Sequence, residues 1–522
     1  MPEYLSPGVY IEEVNTGARP IEGVGTAMAA FVGFAPAGPA NTPILITNWG
    51  QYVDTFGSLE EGGRRNPHIP GAYMSHSVYG YFLNGGGRCY VARVVPANKG
   101  AKDGDGKAVA TPLPGRSAKG IAALSVTPKS TPSSDIQIEV SGPTGEDPAE
   151  GTFTLKIKMG DTEETFDNVS LARKGAKNVV ETVNQSSRLV TVTEIPGAGS
   201  LAERTPALGN YSIKAPDKAA ANLPALKSTH FVGDVSDRSG LEGMEVADDV
   251  TMLVCPDIMA AFQSGSIDRD GVKAVQLAMI AHSERLANRM AILDPLPGMS
   301  PQEVKKWRER DTNYDSKFAA LYYPWIKVDG PDGKPIEVPP SGHVAGIWAR
   351  NDRERGVHKA PANEVVRGAL GPSAQVTKGE QDVLNPSGVN CIRSFTGRGV
   401  RVWGARTQSS DPAWRYVSVR RLFNYVEASI ERGTQWVVFE PNDADLWARV
   451  RRDVGAFLTG VWRDGALFGL TPAEAFFVKC DAENNPSDVR DRGQLIIDVG
   501  LAPVKPAEFV VFRFSQYTNG GA

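Results

Sequence analysis

The sequence predicts a multidomain α/β (α+β) protein with a small, mainly β domain inserted into it. Residues 250–255 form an apolar run, residues 272–290 have helical periodicity, and residues 291–293 form a second apolar run. A strand–helix–strand order of this kind predicts two parallel strands in one sheet. Between residues 121 and 195, Thr, Val and Ile alternate and are separated by Gly and Pro, which is typical of short antiparallel strands. At 522 residues, the chain is long enough for about three domains.

The charge balance and the cysteine pattern exclude several classes of protein. The chain has 56 Lys and Arg residues against 60 Asp and Glu residues, so it lacks the positive excess of a nucleic-acid-binding protein. Its four cysteines lie far apart, without the spacing of a zinc site or a disulfide framework. We find no leader segment and no apolar run of roughly 18 residues. We therefore expect a cytoplasmic protein without a cofactor and without direct contact to nucleic acid or membrane.

Residues 1–20 are predicted to form an N-terminal arm outside any core. Ser6-Pro7-Gly8 is a turn signal, and the residues that follow it have the pattern of a short strand: Val9, Tyr10, Ile11, Glu12, Glu13 and Val14. Asn15, Gly17 and Pro20 then interrupt the pattern. A strand isolated in this way lies either at the edge of its own sheet or in the sheet of a neighbouring subunit. The residues alone leave both readings open.

Residues 21–98 are predicted to begin the α/β body. Strands are expected at 29–34, 43–47 and 89–95, and helices at 49–57 and 71–83. Three glycines, Gly85, Gly86 and Gly87, follow the second helix and precede a strand. A phosphate-binding loop has the reverse order, from strand to helix. We therefore interpret these glycines as a helix C-cap and turn.

Residues 99–235 are predicted to form the inserted domain. A linker rich in Lys, Gly, Asp, Ala and Pro extends to residue 120. Beyond it, strands are expected at 121–126, 136–140, 152–159 and 189–195. Because an inserted domain normally faces solvent, its loops can vary without harming the core of the body.

Residues 236–383 are predicted to return to the body, and they contain the strongest indication of an enzyme. Asp257 and Asp294 each follow a buried strand, and open α/β sheets bind their ligands at the carboxyl ends of the strands. Two carboxylates there could bind a metal ion or act as acid and base. One hypothesis is therefore a cytoplasmic α/β hydrolase or metal-dependent enzyme centred on this pair, and a weaker one is a binding module that does not assemble. Against an enzyme, Asp beside Pro is common turn chemistry, and no P-loop, HExxH or GxSxG motif is present.

Further signals in the same segment predict one helix, one strand and one long loop. Ser300 and Glu303 have the spacing of a capping box, which predicts a helix start. Residues 322–326 form an aromatic strand pattern. Residues 339–363 contain several Pro and Gly residues and are expected to form an irregular interaction loop.

Residues 384–522 are predicted to form a C-terminal α/β module. A hairpin is expected over 390–407, followed by helices from Pro412 to Gly433 and after Pro441. Thr471 and Glu474 have capping-box spacing, and strands are expected at 493–499 and 508–517. Four arginines on the helices are candidate polar contacts to a partner, although a solvated helix face explains them equally well: Arg420, Arg449, Arg451 and Arg452.

Several motifs of this module resemble the contractile tail sheath proteins of phages and of contractile injection systems. The motifs that carry the resemblance are Gly388-Val389-Asn390, Val402-Trp403-Gly404-Ala405-Arg406-Thr407, Tyr416-Val417-Ser418-Val419-Arg420-Arg421-Leu422, Phe439-Glu440-Pro441-Asn442 and Phe477-Val478-Lys479-Cys480-Asp481. Ser6-Pro7-Gly8-Val9-Tyr10 is similar to the N-terminal arm of the family. His358 departs from the family pattern, in which an aromatic residue is expected.

The resemblance implies a structural protein rather than an enzyme. It implies a sheath core completed by strand exchange between subunits, with the N-terminal arm as one donated strand. A second shared strand is expected at the C-terminus: Val510, Val511, Phe512, Arg513 and Phe514. The expected partners are further copies of the chain, an inner tube protein contacted by the C-terminal module, and baseplate and terminal cap proteins. The expected setting is assembly in the bacterial cytoplasm as part of a phage tail or tail-like particle, with release by lysis.

Overall fold

The computed structural model describes residues 20–60, 63–95, 111–116, 122–129, 135–145, 149, 151–160, 162–172, 177–195, 201–213, 223 and 226–513. The chain divides into two compact units. The central unit consists of the described parts of 27–350 and 361–415. The C-terminal unit consists of the described parts of 1–26, 351–360 and 416–522.

The first part of the central unit forms one end of its main sheet. Its elements are β1 (Ala29–Gly33), β2 (Ile44–Ile46), α1 (Trp49–Phe56), β3 (Ser58–Leu59), β4 (Arg65–Asn66), α2 (Met74–Leu83) and β5 (Cys89–Arg93). Asn48 caps α1, because its side chain accepts a hydrogen bond from the Gln51 N–H at 2.9 Å. β1 pairs in parallel with β5, and β2 lies antiparallel at the outer edge. The strands and helices expected in this segment are present.

The inserted domain contains two small sheets. Its elements are β6 (Thr111–Pro114), β7 (Ala122–Pro128), β8 (Ile136–Ser141), β9 (Thr152–Met159), β10 (Thr162–Ser170), β11 (Lys177–Asn178), α3 (Val179–Ser186), β12 (Val190–Glu194), α4 (Leu201–Arg204) and β13 (Gly209–Ile213). One sheet has the order β11-β10-β9-β8-β13, and the other has the order β12-β7-β6. Alternate residues of β8 are buried in a core shared by both sheets. The sequence pattern thus correctly predicted a mainly β insertion.

The second part of the central unit supplies most of the main sheet. Its elements are α5 (Ser228–Val232), β14 (Met252–Val254), α6 (Asp257–Gln263), α7 (Arg269–Leu286), β15 (Met290–Leu293), α8 (Pro301–Lys306), β16 (Ala319–Tyr323), β17 (Ile326–Asp329), β18 (Pro335–Val338), α9 (Ser341–Arg355), β19 (Glu364–Val365), β20 (Ala369–Pro372), α10 (Lys378–Leu384), β21 (Val389–Phe395) and β22 (Gly399–Val402). Residues 351–355, the last part of α9, are counted with the C-terminal unit. The capping box expected at Ser300 is present.

The main sheet has nine strands in the order β19-β22-β21-β16-β15-β14-β1-β5-β2. The strands from β21 to β5 in this order are parallel. Every residue of β1, β14, β15 and β16 is buried. Burial on both faces is the usual state of a parallel sheet, so the α/β prediction is confirmed. The hairpin β21–β22, which the sequence analysis placed in the C-terminal module, belongs to this sheet because β21 pairs with β16.

Helix α9 corrects the expectation of an irregular loop over residues 339–363. The Pro-Pro-Ser-Gly pattern indicates a loop by composition, but the helix begins at Ser341, directly after the two prolines. Gly342 and Gly346 are required by close packing. A Cβ atom on Gly342 would lie 2.5 Å from Ser77 of α2, and one on Gly346 would lie 2.4 Å from the Tyr81 carbonyl oxygen. These glycines therefore mark a close helix approach and do not break the helix.

The C-terminal unit is built around two long amphipathic helices. Its elements are α11 (Val417–Gly433), α12 (Ala444–Arg463), α13 (Pro472–Ala475), β23 (Phe476–Lys479), α14 (Ser487–Asp491) and β24 (Asp498–Leu501). Apolar residues of α12 at helical spacing, from Leu446 to Val461, form its core together with Ile21 and Leu422. α12 packs against β23, which pairs antiparallel with β24.

Three details of this unit differ from the sequence predictions. Thr471 does not form a capping box, because Glu474 accepts instead from the Leu470 N–H at 2.9 Å. The strand expected at 493–499 lies at 498–501. Residues 508–513 form no strand, and residues 514–517 lie outside the described chain. None of the helices in the described chain combines the length and the apolar character required to span a membrane.

Candidate functional site

Asp257, one of the two candidate catalytic residues, lies at the start of α6 and is fully buried. Its Oδ2 atom accepts a hydrogen bond from the Phe34 N–H at 2.5 Å. Its Oδ1 atom accepts from the N–H groups of Tyr73 at 2.5 Å and Met74 at 3.2 Å. Burial raises the pKa of Asp257 to about 7, while the three N–H donors act in the opposite direction. The carboxylate therefore joins the end of β1 to the start of α2.

Asp294 follows β15 and has a similar structural role at a different helix. Its Oδ1 atom accepts from the Ser341 N–H at 3.0 Å, and its Oδ2 atom accepts from the Ser341 hydroxyl at 2.5 Å. Burial raises its pKa to about 7, and the two bonds from Ser341 act in the opposite direction. Asp294 thus fixes the first turn of α9.

These contacts change the interpretation of the two aspartates. Each carboxylate is buried and bonds the start of a helix, which accounts for both polar groups without a substrate. No group of three or more His, Cys, Asp or Glu side chains is placed to hold a metal ion in the described ranges. The enzyme hypothesis centred on Asp257 and Asp294 therefore loses its structural basis.

The two-stranded sheet of the C-terminal unit is the first candidate assembly surface. Phe476 pairs with Leu501, and Lys479 pairs with Asp498. Within the described ranges, each strand has only the other as a neighbour. Two open edges leave backbone N–H and C=O groups available to further strands.

The C-terminal segment is a second candidate surface. Phe509, Val510, Val511 and Phe512 are 70–77% exposed, although all four are large and apolar. Arg513 is the last described residue, and Phe514, the final member of the strand predicted at the C-terminus, lies outside the described chain. Four consecutive exposed apolar residues are unusual on a solvated surface, so this segment is a candidate contact surface.

The predicted arm strand, Val9–Val14, lies outside the described residues. The chain that follows it is held against α11. The Val24 N–H donates a hydrogen bond to Ser429 Oγ at 3.1 Å, and Ile21 is buried in the core of the C-terminal unit. Residues 21–24, which follow the predicted arm, are therefore held on this unit.

The four candidate arginines are in different environments. Arg420 is buried, with Nε bonded to Asn424 at 2.6 Å and a 2.7 Å ion pair to Glu427. Arg451 donates to the Cys480 carbonyl oxygen. Arg452 pairs with Asp453 at 3.0 Å.

Arg449 is the fourth candidate. It lies 3.6 Å from Glu440, and its guanidinium stacks over the Trp436 ring, 5.3 Å from the centroid. Arg449 and Arg452 are about half exposed and can contact a partner.

Sequence reasoning missed a set of exposed apolar residues near these arginines in the chain. Val438 and Phe439 precede α12, and Phe468, Leu470 and Phe477 follow it, all exposed. Phe439 also has a positive φ of 69°, which is strained for a bulky residue. In the sequence, Phe439 stands out only as part of a family motif. A run of exposed apolar residues cannot be recognised from sequence, because exposure depends on the tertiary fold.

Two family models match the chain. The model of the phage tail sheath protein central domain matches residues 245–408, and the model of the phage tail sheath C-terminal domain matches residues 409–516. Together, the two matches span just over half of the chain.

Individual tail sheath proteins are also similar. The tail sheath protein of Burkholderia phage BcepMu is 25% identical over 531 residues, which covers 97% of this chain and 95% of that protein. The tail sheath protein of Escherichia phage P2 is 27% identical over 219 residues, covering 40% of this chain and 52% of that protein.

Among solved structures, the helical sheath of the anti-feeding prophage in its contracted state is 26% identical, with a TM-score of 0.57. That match covers 98% of this chain and 100% of the sheath chain. A chain of the anti-feeding prophage baseplate structure is 25% identical, with a TM-score of 0.56 and coverage of 99% and 100%.

Proposed function

We propose, because this chain belongs to the phage tail sheath family and is a structural subunit of a contractile sheath, that its copies assemble head to tail into a helix around an inner tube. A contact between different surfaces of identical subunits generates a helix when the rotation does not close into a ring. The similarity to a contracted helical sheath along nearly the whole chain supports this assembly.

The observation that carries the proposal is the two-stranded sheet β23–β24 with its open edges. We infer that it is completed by strands from two neighbouring subunits. One is the arm strand Val9–Val14, and the other is the C-terminal strand Val510–Phe514. The exposure of residues 509–512 supports the second strand, because addition to a sheet edge buries apolar side chains and pairs the backbone.

Such links explain how a sheath could contract without dissociating. Shared strands hold subunits together by backbone hydrogen bonds, while the Asn, Gly and Pro residues at 15, 17 and 20 allow the connection to bend. Each subunit would then pass from an extended to a compact packing while its strands stay paired. Small free-energy differences per subunit add along the helix and would drive the tube through a target envelope.

The inner tube is the second partner in this proposal. The C-terminal unit carries the half-exposed Arg449 and Arg452 and the carbonyl-bound Arg451, which are candidate contacts to tube or neighbour. Baseplate and terminal cap proteins would close the two ends of the helix. The similarity to a chain of the anti-feeding prophage baseplate structure supports the first of these. Assembly would occur in the bacterial cytoplasm, with release by lysis.

Electron microscopy of the purified chain tests the proposal. The full chain is expected to form hollow helical tubes at high concentration. Deletion of residues 1–14 is expected to leave the melting temperature unchanged and to abolish the tubes, because the sequence predicts that the arm lies outside any core of its own subunit.

A second test keeps the arm but removes its ability to pair, and it has a matched control. Tyr10→Pro and Glu12→Pro together delete two backbone donors, whereas Tyr10→Phe and Glu12→Gln together preserve them. Tubes from the first variant would show that the arm is not a donated strand. Dispersed full-length chains at all concentrations would contradict self-assembly itself.

A further inference from the structure

Three histidines form a cluster beside the contact between α2 and α9 in the central unit: His68, His76 and His343. His68 precedes α2, His76 lies in the first turn of α2, and His343 lies in the first turn of α9. The rings of His68 and His76 are stacked, with their centroids 4.6 Å apart. His76 is close enough to His343 for a charge on one ring to act on the other. No three of the described His, Cys, Asp or Glu side chains are placed to hold a metal ion, so the cluster is not a metal site.

The ring of His343 lies in a tight part of this contact. The residue is 2% exposed, and a Cβ atom on Gly80 of α2 would lie 2.3 Å from the ring. A Cβ atom on Gly342, the neighbour of His343 in α9, would lie 2.5 Å from Ser77. Because the two helices are this close, neither water nor an anion can enter beside the ring unless the helices move apart.

The Nδ1 atom of His343 is unpaired in this contact. It is buried, and none of the described residues is its hydrogen-bond partner. A charged imidazolium carries an N–H donor on each ring nitrogen, so protonation would place an unpaired, charged donor between the two helices. Burying such a group is strongly unfavourable, whereas a neutral ring is tolerated.

The charged groups around the cluster do not compensate a proton on it. α2 and the adjacent strand β1 contain no Asp, Glu, Lys or Arg residue. Asp257 and Asp294 lie at the starts of α2 and α9, but no carboxylate raises the pKa of any of the three histidines. The other charged or titratable side chains of the surrounding elements are Arg64 and Arg65 before His68, Tyr52 and Asp54 of α1, Tyr73, Tyr79 and Tyr81 at α2, Tyr322 and Tyr323 of β16, and Arg350, Asp352, Arg353, Glu354 and Arg355 in the last turns of α9.

The folded cluster binds protons more weakly than the unfolded chain does. Burial, and then the charge of His76, lower the pKa of His343 to about 4. Burial, and then the charge of His68, lower the pKa of His76 to about 4, and burial lowers the pKa of His68. In the unfolded chain, each histidine has a pKa of about 6.5. The stability that the neutral cluster contributes is therefore complete above about pH 6.5 and is lost progressively as the pH falls toward about 4.

Asp257 and Asp294 titrate in the same range with the opposite effect. Burial raises the pKa of each to about 7, whereas an aspartate in an unfolded chain has a pKa of about 3.9. The folded chain therefore holds these two protons more tightly, and their contribution to stability grows as the pH falls below about 7. An effect of acid can thus be assigned to the histidines only by comparing variants that all retain the two aspartates.

We propose that the contact between α2 and α9 is an acid-sensitive switch, held closed by three neutral imidazoles and weakened by each proton that they take up. The switch acts on the first turn of α9, which contains both His343 and the Ser341 N–H that Asp294 binds. It is a property of the single subunit and does not depend on the assembly proposed above.

Urea unfolding of the full, dispersed chain tests the switch. The quantity compared is the ratio of the unfolding equilibrium constant at about pH 5 to that at about pH 7.5. His343→Gln keeps a polar side chain but removes the titrating group, so its ratio should be at least about tenfold smaller than that of the unsubstituted chain. Comparing ratios cancels both the packing cost of the substitution and the contributions of Asp257 and Asp294.

His230→Gln is the matched control. His230 is also in the central unit, but it lies on α5, where its Nδ1 atom accepts from the Lys227 N–H at 3.0 Å. The substitution should change the ratio by less than about twofold. An unchanged ratio in His343→Gln, or an equal decrease in His230→Gln, would overturn the proposal.

A second variant covers the case in which His343→Gln does not fold. His76 is only half-buried, so His76→Gln should fold, and its ratio should also be at least about tenfold smaller than that of the unsubstituted chain. Deuterium exchange at the imidazole C2 position reports the protonation of each histidine in the unsubstituted chain. Exchange midpoints of His76 and His343 should lie well below the usual histidine range. Midpoints of both at about pH 6.5, or an unchanged ratio in His76→Gln, would overturn the proposal.

Discussion

The two buried aspartates bind their partners through different hydrogen-bond patterns, and this difference leads to a prediction. Both Asp257 oxygens accept only from backbone N–H groups, which cannot change direction. Asp294 bonds one N–H and one hydroxyl, both of Ser341, and a hydroxyl can either donate or accept. The two carboxylates therefore differ in their tolerance of an amide.

Asp257→Asn should destabilise the protein by about 1–3 kcal/mol. The new NH₂ group cannot accept a hydrogen bond, so a backbone N–H at Phe34 or at the start of α2 would lose its acceptor. Asp294→Asn should cost less than about 1 kcal/mol, because its amide can donate to the Ser341 hydroxyl. Urea unfolding of both variants measures the two free energies. Equal losses would mean that burial, not hydrogen-bond direction, determines the role of these residues.

At the same scale, the sequence located the two aspartates but could not assign their role. Their position after parallel strands was predicted correctly. Their partners are Phe34, Tyr73, Met74 and Ser341, which are distant in sequence from the carboxylates they bond. A side chain at a strand end has the same local pattern whether it binds a substrate or the start of a helix, so the distinction needs the tertiary structure.

At the scale of elements, periodicity predicted β1, β2, β5, β14, β15 and the hairpin β21–β22 of the main sheet, together with α7 and α12, because burial imposes it. The strand expected at 322–326 lies at 319–323, and the short edge strand β19 was not predicted. Periodicity failed to predict helix α9, in which two glycines have a packing function. Gly342 and Gly346 indicated a loop, yet both lie in α9, where α2 leaves no space for a side chain. The Thr471 capping box failed for another reason: Glu474 bonds the Leu470 N–H, so the motif is present in sequence but not formed.

Two glycine substitutions in helices separate packing from helix propensity. Alanine is a better helix former than glycine by about 1 kcal/mol. Gly455→Ala in α12, where an added Cβ meets no atom within 4 Å, should therefore raise the free energy of unfolding by about 0.5–1 kcal/mol. Gly346→Ala should lower it by about 1–3 kcal/mol, because the Cβ atom would lie 2.4 Å from the Tyr81 carbonyl oxygen and 2.8 Å from Asn84 Cβ.

Urea unfolding of the dispersed chain is the appropriate measurement, since assembly would add intersubunit contacts. A stabilising effect of Gly346→Ala would indicate that α2 and α9 can move apart at little cost. Gly346 would then be a glycine that the helix tolerates, without a packing function.

At the scale of the whole molecule, several features make sense only in an assembly. The C-terminal unit has a two-stranded sheet and a row of exposed apolar residues, whereas the strands at the centre of the main sheet are buried throughout. A two-stranded sheet is marginal by itself and gains stability from added strands. The two units differ in this respect, and the assembly proposed above places the contacts to neighbouring subunits on the C-terminal unit.

A proline in the C-terminal segment tests this division directly. Val511 is 76% exposed and lies in no strand of the subunit, so Val511→Pro should leave the melting temperature of the dispersed chain unchanged. Proline removes the backbone N–H and is excluded from the interior of a sheet, so the variant should no longer form tubes if residues 510–514 add to a neighbour. Val511→Thr retains the N–H and the β-branched shape and should still assemble. Sedimentation and electron microscopy of the three proteins at equal concentration give the result. Tubes from Val511→Pro equal in number to those of the unsubstituted chain would show that this segment is not a shared strand, and the open edges of β23–β24 would then need another partner.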